Sequence, residues 1–264
     1  METPMSRKND PVEDPLKKLP ALLVELNLTT VARELSNLLS QAEQGSPSYS
    51  QFLLDAFEVE RAARTERKID RRTRWSRLGP YMTLDSFDFS ARPQLSPQVL
   101  KELTNCRFVE ERRNVILVGR PSLGKTTVAR AIGHAACRRG LSVFFVTMTD
   151  MLEALLASHA DGTYRKAFRR VSQPDLLILD DAGFSSLGKE ATNELFRVVC
   201  ARHLQRSTIV VTNLPFRRWG EFLPSPAQAV AIADRLIDQA TILRFTGKPR
   251  REPRDIHGAP LEDE

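Results

Sequence analysis

The segment that most constrains this chain is a glycine-bounded loop between an apolar run and a helical pattern. Residues 119–126 read GRPSLGKT and match the spacing G-x-x-x-x-G-K-T. The apolar residues 114–118 precede the loop, and residues 127–136 follow it with helical periodicity. A loop placed this way points backbone N–H groups and a helix N-terminus at an anion. The segment therefore predicts a nucleoside triphosphate site in an α/β domain.

Each residue type in the loop has a chemical reason. Gly119 and Gly124 let the backbone turn and approach phosphate oxygens without a Cβ in the way. Lys125 is expected to bind the β- and γ-phosphates of ATP, and Thr126 to offer its hydroxyl to Mg²⁺. The predicted ATP-contacting residues are Gly119, Arg120, Pro121, Ser122, Leu123, Gly124, Lys125, Thr126 and Thr127.

A second apolar run supplies the acidic half of such a site. Residues 176–181 read LLILDD, so two carboxylates follow a strand at the edge where open α/β sheets bind ligands. We predict that Asp180 holds Mg²⁺, directly or through water, and that Asp181 polarises the attacking water. The alternative is that this Asp-Asp-Ala-Gly stretch is only a helix cap or a turn.

The next predicted strand ends in Thr212 and Asn213. The amide of Asn213 would fit between the γ-phosphate and the water. Asn-Leu-Pro is also good turn chemistry, so the residues alone leave both interpretations open.

Strand and helix patterns alternate through the rest of this region. Continuous apolar strands between helices predict a parallel sheet covered on both faces. The predicted organisation is a flexible terminus (1–15), a helical basic domain (16–78), a connector (79–110), the α/β core (111–246) and a polar tail (247–264).

Four arginines of the long third helix share one face. Arg64, Arg67, Arg71 and Arg74 lie three or four residues apart, and Trp75 follows them. With a net charge of +6, this face predicts contact with the DNA backbone. The alternative is a solvated helix face, because acidic residues are interspersed.

Composition sets further expectations. The three cysteines are far apart, which argues against a zinc site and a disulfide framework. The first 20 residues lack the pattern of a signal peptide, and no apolar run reaches membrane-spanning length. We therefore expect a cytoplasmic protein with no membrane partner.

Taken in order and spacing, several motifs resemble those of AAA+ ATPases. They are GRPSLGKT, LLILDD, the strand end VTN followed by Trp219, and the segment ADRL at residues 233–236. The chain is most similar to the IstB/DnaC-like group, which contains ATP-binding helpers of insertion-sequence transposition and bacterial replicative helicase loaders. The resemblance covers roughly residues 15–251. The leucine-rich N-terminal helices, the arginine-rich stretch and residues 84–88 match the IstB layout in particular.

The resemblance implies further roles. Asn213 matches the first sensor, and Arg235 matches an arginine finger that reaches the γ-phosphate of a neighbouring subunit, which requires a homo-oligomer. A surface salt bridge with Asp234 or Asp238 is the alternative for Arg235. Two positions depart from the family pattern. Ser122 stands where glycine is usual and would strain the loop if φ were positive, and Pro249 replaces a serine near Arg251.

The implied function is an ATP-dependent helper that assembles on duplex DNA and presents it to the transposase of the same element. A helicase loader would use the same site with a different partner. A metabolic P-loop kinase would need an acceptor pocket, which the sequence does not display. A DNA-binding scaffold with a degenerate site is the third alternative.

Overall fold

The computed structural model describes residues 14–84, 87, 95–183 and 186–247. The predictions for residues 1–13, for Pro249 and Arg251, and for the tail beyond residue 247 lie outside this part of the chain. Within it, the chain divides into two compact units, and the division falls between Lys68 and Ile69.

The N-terminal unit is helical, as predicted. It contains α1 (Pro15–Glu25), α2 (Thr29–Gly45) and the first part of α3 (Tyr49–Ser76). The third helix continues through the arginine-rich stretch, as its pattern indicates. The core of this unit is small and centres on Val31, Leu38 and Ala56.

A buried carboxylate caps α2 inside this unit. Glu60 is only 3% exposed, and its Oε2 accepts hydrogen bonds from the backbone N–H groups of Thr30 (2.7 Å) and Val31 (3.3 Å). Its Oε1 pairs with Arg64 and Arg67, both at 2.9 Å. Burial by itself raises the pKa of Glu60, but the Arg64 hydrogen bond and the two amides outweigh it and lower the pKa to about 2.

The second unit is built on five parallel strands, which confirms the predicted fold class. The strands are β1 (Val115–Gly119), β2 (Val143–Thr147), β3 (Leu176–Ala182), β4 (Ser207–Thr212) and β5 (Thr241–Phe245). Their order across the sheet is β2-β3-β4-β1-β5, so β3, β4 and β1 are neighbours. Because all strands are parallel, their carboxyl ends meet at one edge of the sheet.

Helices cover both faces of the sheet. They are α4 (Pro97–Thr104), α5 (Arg107–Glu110), α6 (Lys125–Arg138), α7 (Met148–Ala160), α8 (Tyr164–Ser172), α9 (Lys189–Arg202) and α10 (Pro226–Ile237), with a 3₁₀ helix at Phe216–Glu221. Two separate hydrophobic clusters lie on the two faces of the strands. The short α5 and the 3₁₀ helix were not predicted, because so few residues show no periodicity.

The end of α3 packs against α6 within the second unit. Thr73 and Ser76 contact the thiol of Cys137, and Leu78 is fully buried. A Cβ at Gly133 would lie 2.6 Å from a terminal methyl carbon of Leu78 and 2.9 Å from that of Ile178, so a larger residue there would force these side chains to move. The contact places the residues that follow α3 beside the sheet. Among the described residues, no helix is both long enough and apolar enough to cross a bilayer.

We predict that Glu60→Gln destabilises α2 by about 1–2 kcal/mol at pH 7, because two charge-assisted pairs and part of the cap are lost. Since folding lowers the pKa of Glu60, its stabilisation is present above the ordinary value of 4.5 and is lost as pH falls towards 2. The difference between the two proteins should therefore shrink over that range.

Hydrogen exchange of α2 amides, followed as a function of pH, measures this difference. The matched control is Glu58→Gln, which removes an exposed ion pair to Arg61 and should cost less than about 0.5 kcal/mol. Equal effects of the two substitutions would contradict the proposed cap.

Candidate nucleotide-binding site

A cavity of about 540 Å³ lies at the carboxyl edge of the sheet. It brings together the glycine-bounded loop, the end of β3 and the end of β4, as the sequence predicts. Its lining residues are Pro121, Ser122, Leu123, Gly124, Lys125, Thr126, Thr127, Asp181, Val211 and Asn213.

Lys125 lines this cavity and makes three hydrogen bonds there. Its Nζ donates to the carbonyl oxygens of Gly119 (2.7 Å) and Arg120 (2.7 Å), and to Oδ1 of Asn213 (2.8 Å). The side chain is nearly buried, and burial lowers the pKa of its ammonium group. The hydrogen bond to Asn213 joins the loop after β1 to the end of β4. An ammonium group held by neutral oxygens in a loop of backbone N–H groups fits a phosphate ligand.

Asp180 and Thr126 form the second contact across the site. The Thr126 hydroxyl donates to Oδ1 of Asp180 at 3.0 Å, and the backbone N–H of Asp181 donates to the same oxygen at 3.1 Å. Burial raises the pKa of Asp180, and the charge of Asp181 raises it further. A hydroxyl and a carboxylate are the hard oxygen ligands that Mg²⁺ prefers.

The described residues contain no group of three His, Cys, Asp or Glu side chains that could hold a metal. A magnesium ion beside Asp180 and Thr126 would therefore take its remaining ligands from phosphate oxygens and water, which is usual for this ion.

Two non-glycine residues lining the cavity have left-handed backbone. Ser122 has φ +60° and Asp181 has φ +53°. The positive φ expected to strain Ser122 is thus present. At Asp181, the pairing of β3 with β4 shifts register between Leu179 and Ala182. This irregularity leaves Asp180 buried and Asp181 exposed at the cavity, which separates the two carboxylates as their predicted roles require.

The two loop glycines leave room for different neighbours. Gly124 has φ +88°, and a Cβ there would lie 2.9 Å from Cε2 of Phe87. At Gly119, a Cβ would lie 2.2 Å from the carbonyl oxygen of Phe245 in β5. Sequence reasoning assigned both glycines to phosphate approach and missed these contacts. The only signal of this role for Phe87 in the sequence is its aromatic ring in the connector.

Arg235 lies away from the cavity lining, near the end of α10. Its Nη1 donates to the carbonyl oxygen of Ala231 at 2.8 Å, and its guanidinium lies 5.2 Å from the centre of the Phe196 ring. Asp238, one of the two partners considered for Arg235, is bound by His203 at 2.9 Å. The half-buried arginine thus lies between α9 and α10.

The four arginines predicted to contact DNA have different surroundings. Arg64 and Arg67 are about half exposed and share Glu60. Arg71 and Arg74 are exposed and have no acidic partner among the described residues.

Comparison with known families agrees with this site. A family model described as IstB-like ATP binding protein matches residues 21–255. The chain belongs to the IstB-like ATP-binding family. It is 31% identical over 236 residues to an ATP-binding protein named for insertion sequence IS21 of Pseudomonas aeruginosa, covering 89% of each chain. It is 30% identical over 226 residues to the corresponding protein named for IS5376 of Geobacillus stearothermophilus, covering 86% of this chain and 90% of the relative.

Solved structures show the same fold. A DNA replication initiation factor (TM-score 0.54, 21% identical) and an AMPPCP-bound DnaA from Aquifex aeolicus (TM-score 0.54, 22% identical) each match 64% of this chain. The matched region spans about half of those two chains. DnaI matches 62% of this chain and 91% of its own, with a TM-score of 0.54 and 19% identity.

These likenesses show the fold. Membership of the IstB-like family makes this protein an ATP-binding P-loop ATPase and sets aside the metabolic kinase alternative.

We predict that Ser122→Gly stabilises the protein by up to about 1 kcal/mol, because glycine adopts a positive φ without the penalty of a Cβ. ATP turnover should rise as the loop is relieved of strain. Thermal unfolding and a phosphate-release assay measure the two effects.

The matched control is Gln239→Gly, which releases a similar φ of +54° at an exposed position outside the cavity. It should give a similar gain in stability and leave turnover unchanged. No gain in stability at position 122 would show that the loop stores no strain there.

Proposed function

We propose that this IstB-like protein is an ATP-dependent helper of insertion-sequence transposition that assembles on duplex DNA and presents it to the transposase of the same element. The observation that carries the proposal is the set of hydrogen-bonded nucleotide-site residues in a chain of this family. Lys125, Asn213, Thr126 and Asp180 are joined by hydrogen bonds of 2.8 and 3.0 Å across three neighbouring strands.

At this site the residues would divide the work of hydrolysis. Thr126 and Asp180 would hold Mg²⁺, which would supply positive charge beside the phosphates. The ammonium group of Lys125 would bind the β- and γ-phosphates. Asp181 is exposed at the cavity and polarises the attacking water, while the amide of Asn213 orients it.

The site would be completed by a second copy of the chain. Arg235 does not line the cavity of its own chain, and the Phe196 ring and the Ala231 carbonyl hold it half-buried between α9 and α10. A guanidinium outside its own cavity is available to the γ-phosphate of a neighbouring subunit, where it would stabilise charge in the transition state. ATP binding would thus order contacts between subunits, and hydrolysis would release them.

We predict that Arg235→Ala leaves ATP affinity near normal and abolishes hydrolysis or assembly. Mixing it with Asp181→Asn subunits, which keep Arg235 but lack the water-polarising carboxylate, should restore part of the turnover. Nucleotide binding, phosphate release and sedimentation measure these outcomes. Normal turnover of Arg235→Ala by itself would make this residue a surface arginine without a catalytic role.

DNA would bind along the exposed part of the arginine face. Arg71 and Arg74 have no acidic partner among the described residues, so they are available to phosphates. Arg64 and Arg67 contribute less because both already pair with Glu60. The net charge of +6 supports a polyanionic partner.

We predict cooperative binding to duplex DNA that is stronger with ATP and Mg²⁺ and that weakens steeply with salt. Fluorescence anisotropy with duplex and single-stranded oligonucleotides measures this. Lys125→Ala is the control, since it should bind no ATP and lose the ATP dependence. A preference for single strands would instead favour a helicase loader, and no DNA binding would contradict the proposal.

A further inference from the structure

Helix α8 is strongly basic. Its nine residues include Arg165, Lys166, Arg169 and Arg170, and no acidic residue. All four cations are exposed. Like charges at i and i+4 repel, so the pairs Arg165–Arg169 and Lys166–Arg170 are unfavourable. The two cations of the first turn also oppose the helix dipole, whereas the two in the last turn complement it.

Both ends of α8 are held firmly. At its start, the hydroxyl of Tyr164 donates to Oε2 of the buried Glu194 at 2.7 Å. At its end, Nη1 of the buried Arg202 donates to the carbonyl oxygens of Val171 (3.0 Å), Ser172 (3.1 Å) and Pro174 (2.9 Å). The helix therefore presents its cations from a fixed position, which lowers the entropy lost on binding a ligand.

Two guanidinium groups converge next to α8 on the outermost strand of the sheet. Phe144 belongs to β2, and its ring centre lies 4.9 Å from Cζ of Arg170 and 5.7 Å from Cζ of Arg77. Burial lowers the pKa of Arg170, and the positive charge of Arg77 lowers it further. Neither guanidinium has an acidic partner in the part of the chain that the structure describes. Like charges held together without a counter-ion favour an anionic ligand.

The same surface joins the region proposed above for DNA. Arg77 directly follows α3, whose last turns carry the exposed Arg71 and Arg74. The positive charge thus continues from the end of α3, past Phe144, to α8.

We propose that Arg77, Arg165, Lys166, Arg169 and Arg170, together called the basic edge, form a second contact surface for the phosphate backbone of duplex DNA. A regularly spaced polyanion complements a row of cations with no acid among them, and arginine suits phosphate. The contact carries no base recognition. This inference rests on the DNA-binding part of the proposed function and extends it to residues of the ATPase domain.

The test is the salt dependence of duplex binding by the full chain carrying Arg165→Gln, Lys166→Gln and Arg169→Gln. These side chains are exposed, and Arg77 and Arg170 stay in place over Phe144. Each lost phosphate contact should reduce the slope of log affinity against log salt by about 0.9, so we expect a reduction of roughly 2 to 3. ATP affinity should stay unchanged, because none of the three residues lines the cavity.

The matched control removes three exposed cations from other elements, by Lys101→Gln, Arg217→Gln and Arg244→Gln. It lowers the net charge equally and should change the slope by less than about 0.5 if contacts matter more than total charge. If the triple variant of α8 does not fold, the single variants Arg165→Gln and Arg169→Gln should each lower the slope by about 0.9.

The outcomes are distinct. Wild-type binding to duplex with an unchanged slope in the α8 variants would overturn the basic edge and leave the proposed function standing. Equal losses in the α8 variant and the control would also overturn it. A wild-type protein that does not bind duplex would overturn both proposals.

Discussion

The hydrogen bond between Lys125 and Asn213 depends on the strand order of the second unit. It can form only if β1 and β4 are parallel neighbours, so that the loop after one strand faces the end of the other. The contact between Thr126 and Asp180 imposes the same condition on β3. The sheet order is therefore the device that turns three separate sequence motifs into one cavity, and the helices on both faces serve to bury the strands that maintain this order.

Buried charge is the second theme of the structure. Arg202 is almost fully buried at the opposite edge of the sheet, and burial, followed by the charge of Arg206, lowers its pKa to about 9. Its partners are mostly backbone carbonyl oxygens at the end of α8 and the start of β4. Glu60 has the corresponding role in the N-terminal unit, where its carboxylate accepts hydrogen bonds from backbone N–H groups at the start of α2. In both cases one ionised side chain satisfies backbone groups that the chain itself leaves unpaired.

The sequence predicted the sheet, the loop and both carboxylates because each follows from local patterns. An apolar strand, a glycine spacing and a strand end can be recognised within a few residues. The parallel arrangement then places their ends together without further information. What could not be predicted depends on partners far along the chain. Glu60 caps Thr30, which lies 30 positions earlier in the chain. Phe87 of the connector packs against Gly124, 37 positions later. The left-handed backbone of Asp181 likewise lies where the pairing of β3 with β4 is interrupted between Leu179 and Ala182, which no local pattern encodes.

The close approach of β5 to Gly119 limits which substitutions the loop tolerates. Because the carbonyl of Phe245 occupies the space of a side chain at position 119, any larger residue there would push the outer strand β5 away from β1. Loss of activity in such a mutant would reflect a disturbed sheet rather than a lost catalytic group. A variant intended to be inactive but folded should therefore be sought at Lys125, whose side chain lines the cavity. The first glycine belongs to the architecture of the sheet as much as to the nucleotide.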